Sequence, residues 1–94
     1  MHHEKVQLPG KEADGYVIEC GPFNIVSINT DVGMIGCGAF DVIALDNFKY
    51  PAARISGVAT VDDLLEGTIK QANEHAQERG IQEGMTGKEA LGFL

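Results

Sequence analysis

Phe23-Asn24-Ile25-Val26-Ser27-Ile28-Asn29 is rich in β-branched residues. It ends in the turn cluster Asn29-Thr30-Asp31 and is followed at once by a second apolar run, Gly33-Met34-Ile35-Gly36-Cys37. Both runs are short, as strands are, and both are bounded by turn residues. A parallel pair would need a crossover of a dozen or more residues, so this close spacing fits a hairpin. Upstream, Tyr16-Val17-Ile18-Glu19 precedes the breaker Gly21-Pro22 and reads as a further strand. The sheet is therefore expected to be mostly antiparallel.

Working outward, Val6-Gln7-Leu8 reads as a short first strand closed by Pro9-Gly10, and the charged residues 11–14 read as a turn into Gly15. Downstream, Asp41 is placed to cap a helix over Val42-Ile43-Ala44-Leu45. Four apolar residues in a row predict that this helix is buried on most sides. Residues 53–59 read as a strand with Arg54, Ser56 and Val58 on one face.

Thr60-Val61-Asp62-Asp63 resembles a capping sequence opening a long helix. Val61, Leu65, Ile69, Ala72 and Ala76 fall on one helical stripe, with Glu66, Lys70, Glu74 and Glu78 opposite. Gly67 is a point at which this segment can divide in two, and Gly80 is a natural residue just past its end. Thr86-Gly87-Lys88-Glu89 is a full capping box before Ala90, Leu91 and Leu94. The expected fold class is α+β: one domain with a small, mostly antiparallel sheet and helices packed against it.

The 94 residues suffice for one core. A domain this small has a thin stability margin, so pairing with copies of itself, a homo-oligomer, is expected. The formal net charge is −7, and the seven basic residues are scattered. Anionic polymers and lipid heads attract basic surfaces, so neither nucleic acid nor membrane is an expected partner. Met1-His2-His3-Glu4-Lys5 leads into no apolar core region, so no signal peptide is read and a cytoplasmic location is expected. Cys20 and Cys37 are read as reduced thiols rather than a disulfide framework.

Three phrases carry a resemblance. They are Gly36-Cys37-Gly38-Ala39-Phe40-Asp41-Val42, then Gly57-Val58-Ala59-Thr60-Val61-Asp62-Asp63-Leu64-Leu65, then Gly80-Ile81 with Gly84-Met85-Thr86-Gly87-Lys88-Glu89-Ala90-Leu91. In order and spacing they resemble the YunC-like proteins of bacteria and archaea, a family known as a domain of unknown function. The resemblance spans residues 16–94 and leaves residues 1–14 unassigned. It implies a small α and β domain and brings no catalytic residue with it.

Candidate site residues come from the chain itself. Cys37 stands between two glycines at a strand-to-helix junction. It is either a thiolate stabilised by the helix dipole, able to act as a nucleophile, or a small apolar residue filling core space. Asp41 is either a helper group or an N-cap. Arg54, alone in an apolar strand, can hold an anion by its guanidinium fork, face solvent, or pair with an acid at a subunit contact. His75 lies at the edge of the helical stripe, where it either assists Cys37 or simply meets solvent.

The glycine-rich stretch lacks the Lys-Ser/Thr of a P-loop and the G-x-G-x-x-G spacing of a dinucleotide fold. Close Cys or His pairs are absent apart from His2-His3, so no metal and no cofactor are expected. Two readings remain. One is a non-catalytic homo-oligomer that binds a small molecule or a protein partner. The other is a small thiol enzyme using Cys37 on an anionic substrate held by Arg54.

Overall fold

Gly10, at φ 76°, reverses the chain between β1 (His2–Leu8) and β2 (Lys11–Glu19) in the computed structural model, which describes residues 1–94. The sheet continues through β3 (Asn24–Asn29), β4 (Met34–Cys37), β5 (Ala52–Ile55) and β6 (Gln71–Ala72). Its six strands lie side by side in chain order. Every pairing is antiparallel except β4 with β5, which run parallel. That one parallel step requires a crossover, and α1 (Val42–Asp46) supplies it. Three further short helices follow: α2 (Val61–Glu66), α3 (Glu74–Glu78) and α4 (Gly87–Leu91). The architecture is the expected α+β domain.

Alternation along the strands gives the sheet two unlike faces. On one face Val26, Ile28, Ile35, Ala53 and Ile55 join Val61, Leu64 and Leu91 in the main core. Burying each such Leu or Ile side chain contributes roughly 1.5–3 kcal/mol. On the other face a small cluster of Met34, Val42 and Ala52 sits beneath α1, with Phe40 and Tyr50 beside it. The rest of that second face, over β1 to β3, carries no helix. It presents His3, Lys5, Asp14 and Tyr16, with His3 stacked on Tyr16 at 4.9 Å between ring centres. No helix is long and apolar enough to cross a membrane.

Three local expectations give way. Residues 11–14 are not a turn but the start of β2. Their alternation explains it: Ala13 points into the core, while Glu12 and Asp14 point out and meet partners on β1. Lys5 Nζ donates to Asp14 at 2.8 Å, and Gln7 donates to Glu12.

Helix α1 is buried only at Val42, and Ile43 is 54% exposed. One short helix lying over a sheet can bury only the side that faces it.

The expected long helix after Thr60 is broken by an extended stretch. α2 ends at Gly67, whose backbone is extended at φ −71°, ψ 170°. The Gly67 carbonyl accepts the Gly87 N–H at 2.9 Å, and Lys70 and Asn73 donate to Arg54 and Ala52 carbonyls on the edge of β5. The apolar residues Val61, Ile69, Ala72 and Ala76 are all buried, yet from α2, the connecting chain, β6 and α3 in turn rather than from one stripe. Leu64, not Leu65, is the fully buried leucine of α2.

Candidate functional site

The Gly36-Cys37-Gly38 junction leaves β4 and reaches α1 in four residues, Gly38 to Asp41. Asp41 is the N-cap of α1, and its carboxylate accepts the Ala44 N–H at 3.0 Å. Gly36 is required by packing: a Cβ there would strike the Phe40 ring and come within 2.8 Å of Met34 Cε. Gly38 is not. A Cβ there would meet Ser56 Oγ at 3.8 Å, Arg54 Nη1 at 3.9 Å and Ser56 Cα at 4.0 Å. The second glycine of the phrase is therefore not demanded by a close approach, since these are ordinary contact distances.

Cys37 is 5% exposed, and its Sγ accepts the buried Val26 N–H at 3.5 Å. In the parallel register Cys37 lies opposite Ile55, while Gly36 lies opposite Arg54. Neighbouring residues on a strand face opposite ways. Cys37 thus points into the main core, and Arg54 points to the other side of the sheet.

Arg54 is half-buried and held in place by two side chains. Its Nε donates to Gln71 Oε1 at 2.7 Å from the neighbouring strand, and Nη1 approaches Ser56 Oγ at 3.4 Å. No carboxylate pairs with it, for every ion pair in the chain uses a histidine or Lys5. The outer edge of the guanidinium is therefore a fixed cationic fork with donors to spare, flanked by Ser56 and the Gly38 backbone.

His75 meets neither Cys37 nor Arg54 in any bond; it meets Asp46 at the end of α1. Asp46 Oδ1 accepts the His75 backbone N–H at 3.0 Å and ring Nδ1–H at 2.7 Å. The bond from the His75 ring holds the Asp46 carboxyl below its usual 3.8, with the backbone bond adding to this. Spending Nδ1–H on Asp46 leaves Nε2 as the free nitrogen of the ring.

The most heavily bonded side chain in this region is Asn73, fully buried at 0% exposure. Its Oδ1 accepts from the Ala52 and Ala76 N–H groups, and its Nδ2 donates to the Val42 and Tyr50 carbonyls. One amide thus ties α1, β5 and α3 together. Sequence reasoning missed it because those residues were assigned to one helix interior. An Asn just before Glu74-His75-Ala76 is nevertheless a helix-start signal.

A family profile described as "Domain of unknown function (DUF1805)" matches residues 36–94, more than half of the chain. The chain belongs to this family. The DUF1805 region begins at Gly36, inside β4, and carries the Asp41 cap, Arg54, Asn73 and both capping boxes. The chain is also 34% identical over 91 residues to the "Uncharacterized protein YunC" of Bacillus subtilis (strain 168), covering 92% of this chain and 89% of that one. Its fold matches a crystal structure of "a Protein of Unknown Function TA1206 from Thermoplasma acidophilum", with a TM-score of 0.91 over 97% of this chain and 89% of that one, at 23% identity. The resemblance to the YunC-like proteins therefore holds.

Proposed function

We propose that this DUF1805 protein is a cytoplasmic, non-catalytic binding domain that works as a homo-oligomer and holds a small anionic molecule at Arg54. The observation that carries the reading is the guanidinium itself. It is positioned by Gln71 and Ser56, is matched by no acid, and lies beside Gly38. A fork fixed in this way loses little freedom on meeting a planar carboxylate or a phosphate. Lys5 alone among the seven Lys and Arg side chains sits in an ion pair, so what sets Arg54 apart is that two neighbouring side chains fix its guanidinium.

Self-association is supported by the apolar side chains left on the surface. Ile43 and Phe48, at 54% and 78% exposed, stand on α1 and just after it. Ile18 and Ile25 pair on the uncovered face of β2 and β3. Two free thiols, Cys20 and Cys37, suit a reducing compartment. The absence of catalysis is supported by the separation of the candidates: the one buried thiol and the one anion fork lie on opposite faces of the sheet.

The test is a titration with phosphate and with acetate, followed by the Arg54 Nε–H and Gly38 amide resonances. Saturable shifts at both are expected, with the Gly38 shift lost in Arg54→Gln. Shifts that never saturate, or that persist in the variant, would remove Arg54 from the reading. Light scattering decides the assembly state, and a monomer across the accessible concentration range would end that part of it.

A further inference from the structure

Between the β1–β2 turn and α4 lies a cleft of about 540 Å³. Small-molecule sites typically run to roughly 300–1,000 Å³. Leu8 and Pro9 give it an apolar wall, and Lys11, Thr86, Lys88 and Glu89 line the rest.

Lys11 is the unusual member. It is the cross-strand partner of Leu8, so both side chains project toward the helix-bearing face of the sheet. The next position of β2 on that face is Ala13, which lies in the main core. A lysine therefore stands where the strand pattern calls for a small or apolar residue. It is half-buried and lines the cleft, as a side chain with an apolar stem and a charged end can.

Neither Lys11 nor Lys88 takes part in an ion pair, as holds for every Lys and Arg in the chain except Lys5. The single carboxylate in the lining is already engaged. Glu89 Oε1 accepts the Thr86 N–H at 3.0 Å and the Thr86 hydroxyl at 3.1 Å, closing the capping box of α4. Those bonds from Thr86 hold Glu89 below its usual value of 4.5, so it stays ionised and acts as an acceptor at neutral pH. Two lysines and one committed carboxylate thus line the cleft together with Leu8 and Pro9.

We infer that this cleft binds an amphiphilic anion, a carboxylate carried on an aliphatic chain, with its head group at Lys11 and Lys88 and its chain against Leu8 and Pro9. The apolar wall supplies affinity in proportion to the area covered, and the two ammonium groups choose the sign of the head group. The site is separate from Arg54, which faces the other side of the sheet, and it needs no second copy of the chain.

Octanoate is the probe, and octyltrimethylammonium is its match in chain length with the opposite charge. Both are titrated into the full chain and followed by amide resonances. Octanoate is expected to give saturable shifts at Leu8, Lys11, Lys88 and Gly92. In the double variant Lys11→Glu/Lys88→Glu its affinity should fall by about tenfold, a difference of about 1.4 kcal/mol. Arg54→Gln should leave the octanoate shifts at this cleft unchanged. Three results would overturn the inference: equal affinity of this cleft for the two probes, saturable octanoate shifts confined to the Arg54 side, or octanoate shifts at Leu8 and Gly92 undiminished in the double variant. The comparison of probes on the unaltered chain decides the matter even if the double variant does not fold.

Discussion

Asp46 closes α1 and His75 is the second residue of α3, and a single carboxylate oxygen of the first takes both the backbone N–H and the ring N–H of the second. This joins two helices that are 29 residues apart in the chain. It also makes the junction sensitive to acid. The folded-state value of Asp46 is depressed below 3.8, so the unfolded chain takes up that proton first. Its contribution is complete above the unfolded value and is lost as pH falls through the folded one. Asp14, Asp63 and Glu89 are depressed likewise by hydrogen bonds, from Lys5, Ala59 and Thr86 respectively. Urea midpoints should be flat near neutrality and fall below about pH 4. Asp46→Asn should show a shallower fall in that acid window; parallel profiles for the two proteins would contradict the account.

Asn73→Ala is expected to be among the most damaging single changes. It leaves the Ala52 and Ala76 N–H groups and the Val42 and Tyr50 carbonyls without the amide that now serves them. Unsatisfied buried groups are costly, and a loss of about 2–4 kcal/mol should appear in urea unfolding. Gln in its place should not restore stability, because the longer side chain displaces the amide from all its partners.

The two glycines around Cys37 should behave differently. Gly36→Ala forces a methyl against Phe40 and Met34 and should cost about 1–3 kcal/mol. Gly38→Ala meets only ordinary contacts and should lie within about 0.5 kcal/mol of the parent. Calorimetry on the two variants reads the contrast directly; equal losses would show that the junction is constrained at Gly38 as well.

Cys37 should resist alkylation. In a Cys20→Ser background, iodoacetamide is expected to label Cys37 only as fast as the protein opens, since the thiol lies in the core against the Val26 N–H. Denaturant should accelerate labelling sharply. Rapid labelling of the native protein below pH 8 would instead restore the thiol-enzyme reading.

The legible parts of the sequence were those whose signals are local. The β-branched run through residues 24–29 became β3, the apolar run ending at Cys37 became β4, and Asp41, Thr60 and Thr86 all became N-caps. Gly80, at φ 112°, follows α3 as its position suggested. What misled was residue class read without partners. Lys11 to Asp14 looked like a turn because they are mostly charged, but two of those charges are cross-strand pairs on an exposed face. The stripe from Val61 to Ala76 looked like one helix because an extended chain crossing the edge of a core can bury the same apolar residues.

The candidate site divided along the same line. Cys37, Asp41, Arg54 and His75 were all visible as residue types, and the sequence alone singled them out. It also determined the α+β class, the strand-to-helix junction and the family. Only the tertiary structure decided that Cys37 and Arg54 face opposite ways, that His75 belongs to Asp46, that Gln71 and Ser56 hold Arg54, and that Asn73 joins three elements. The physical reason is range. Capping, turn chemistry and strand period act over a few residues and are written in neighbouring letters. Sheet register and buried hydrogen bonds join residues 17 to 31 positions apart here, and those partners are fixed only when the whole core closes.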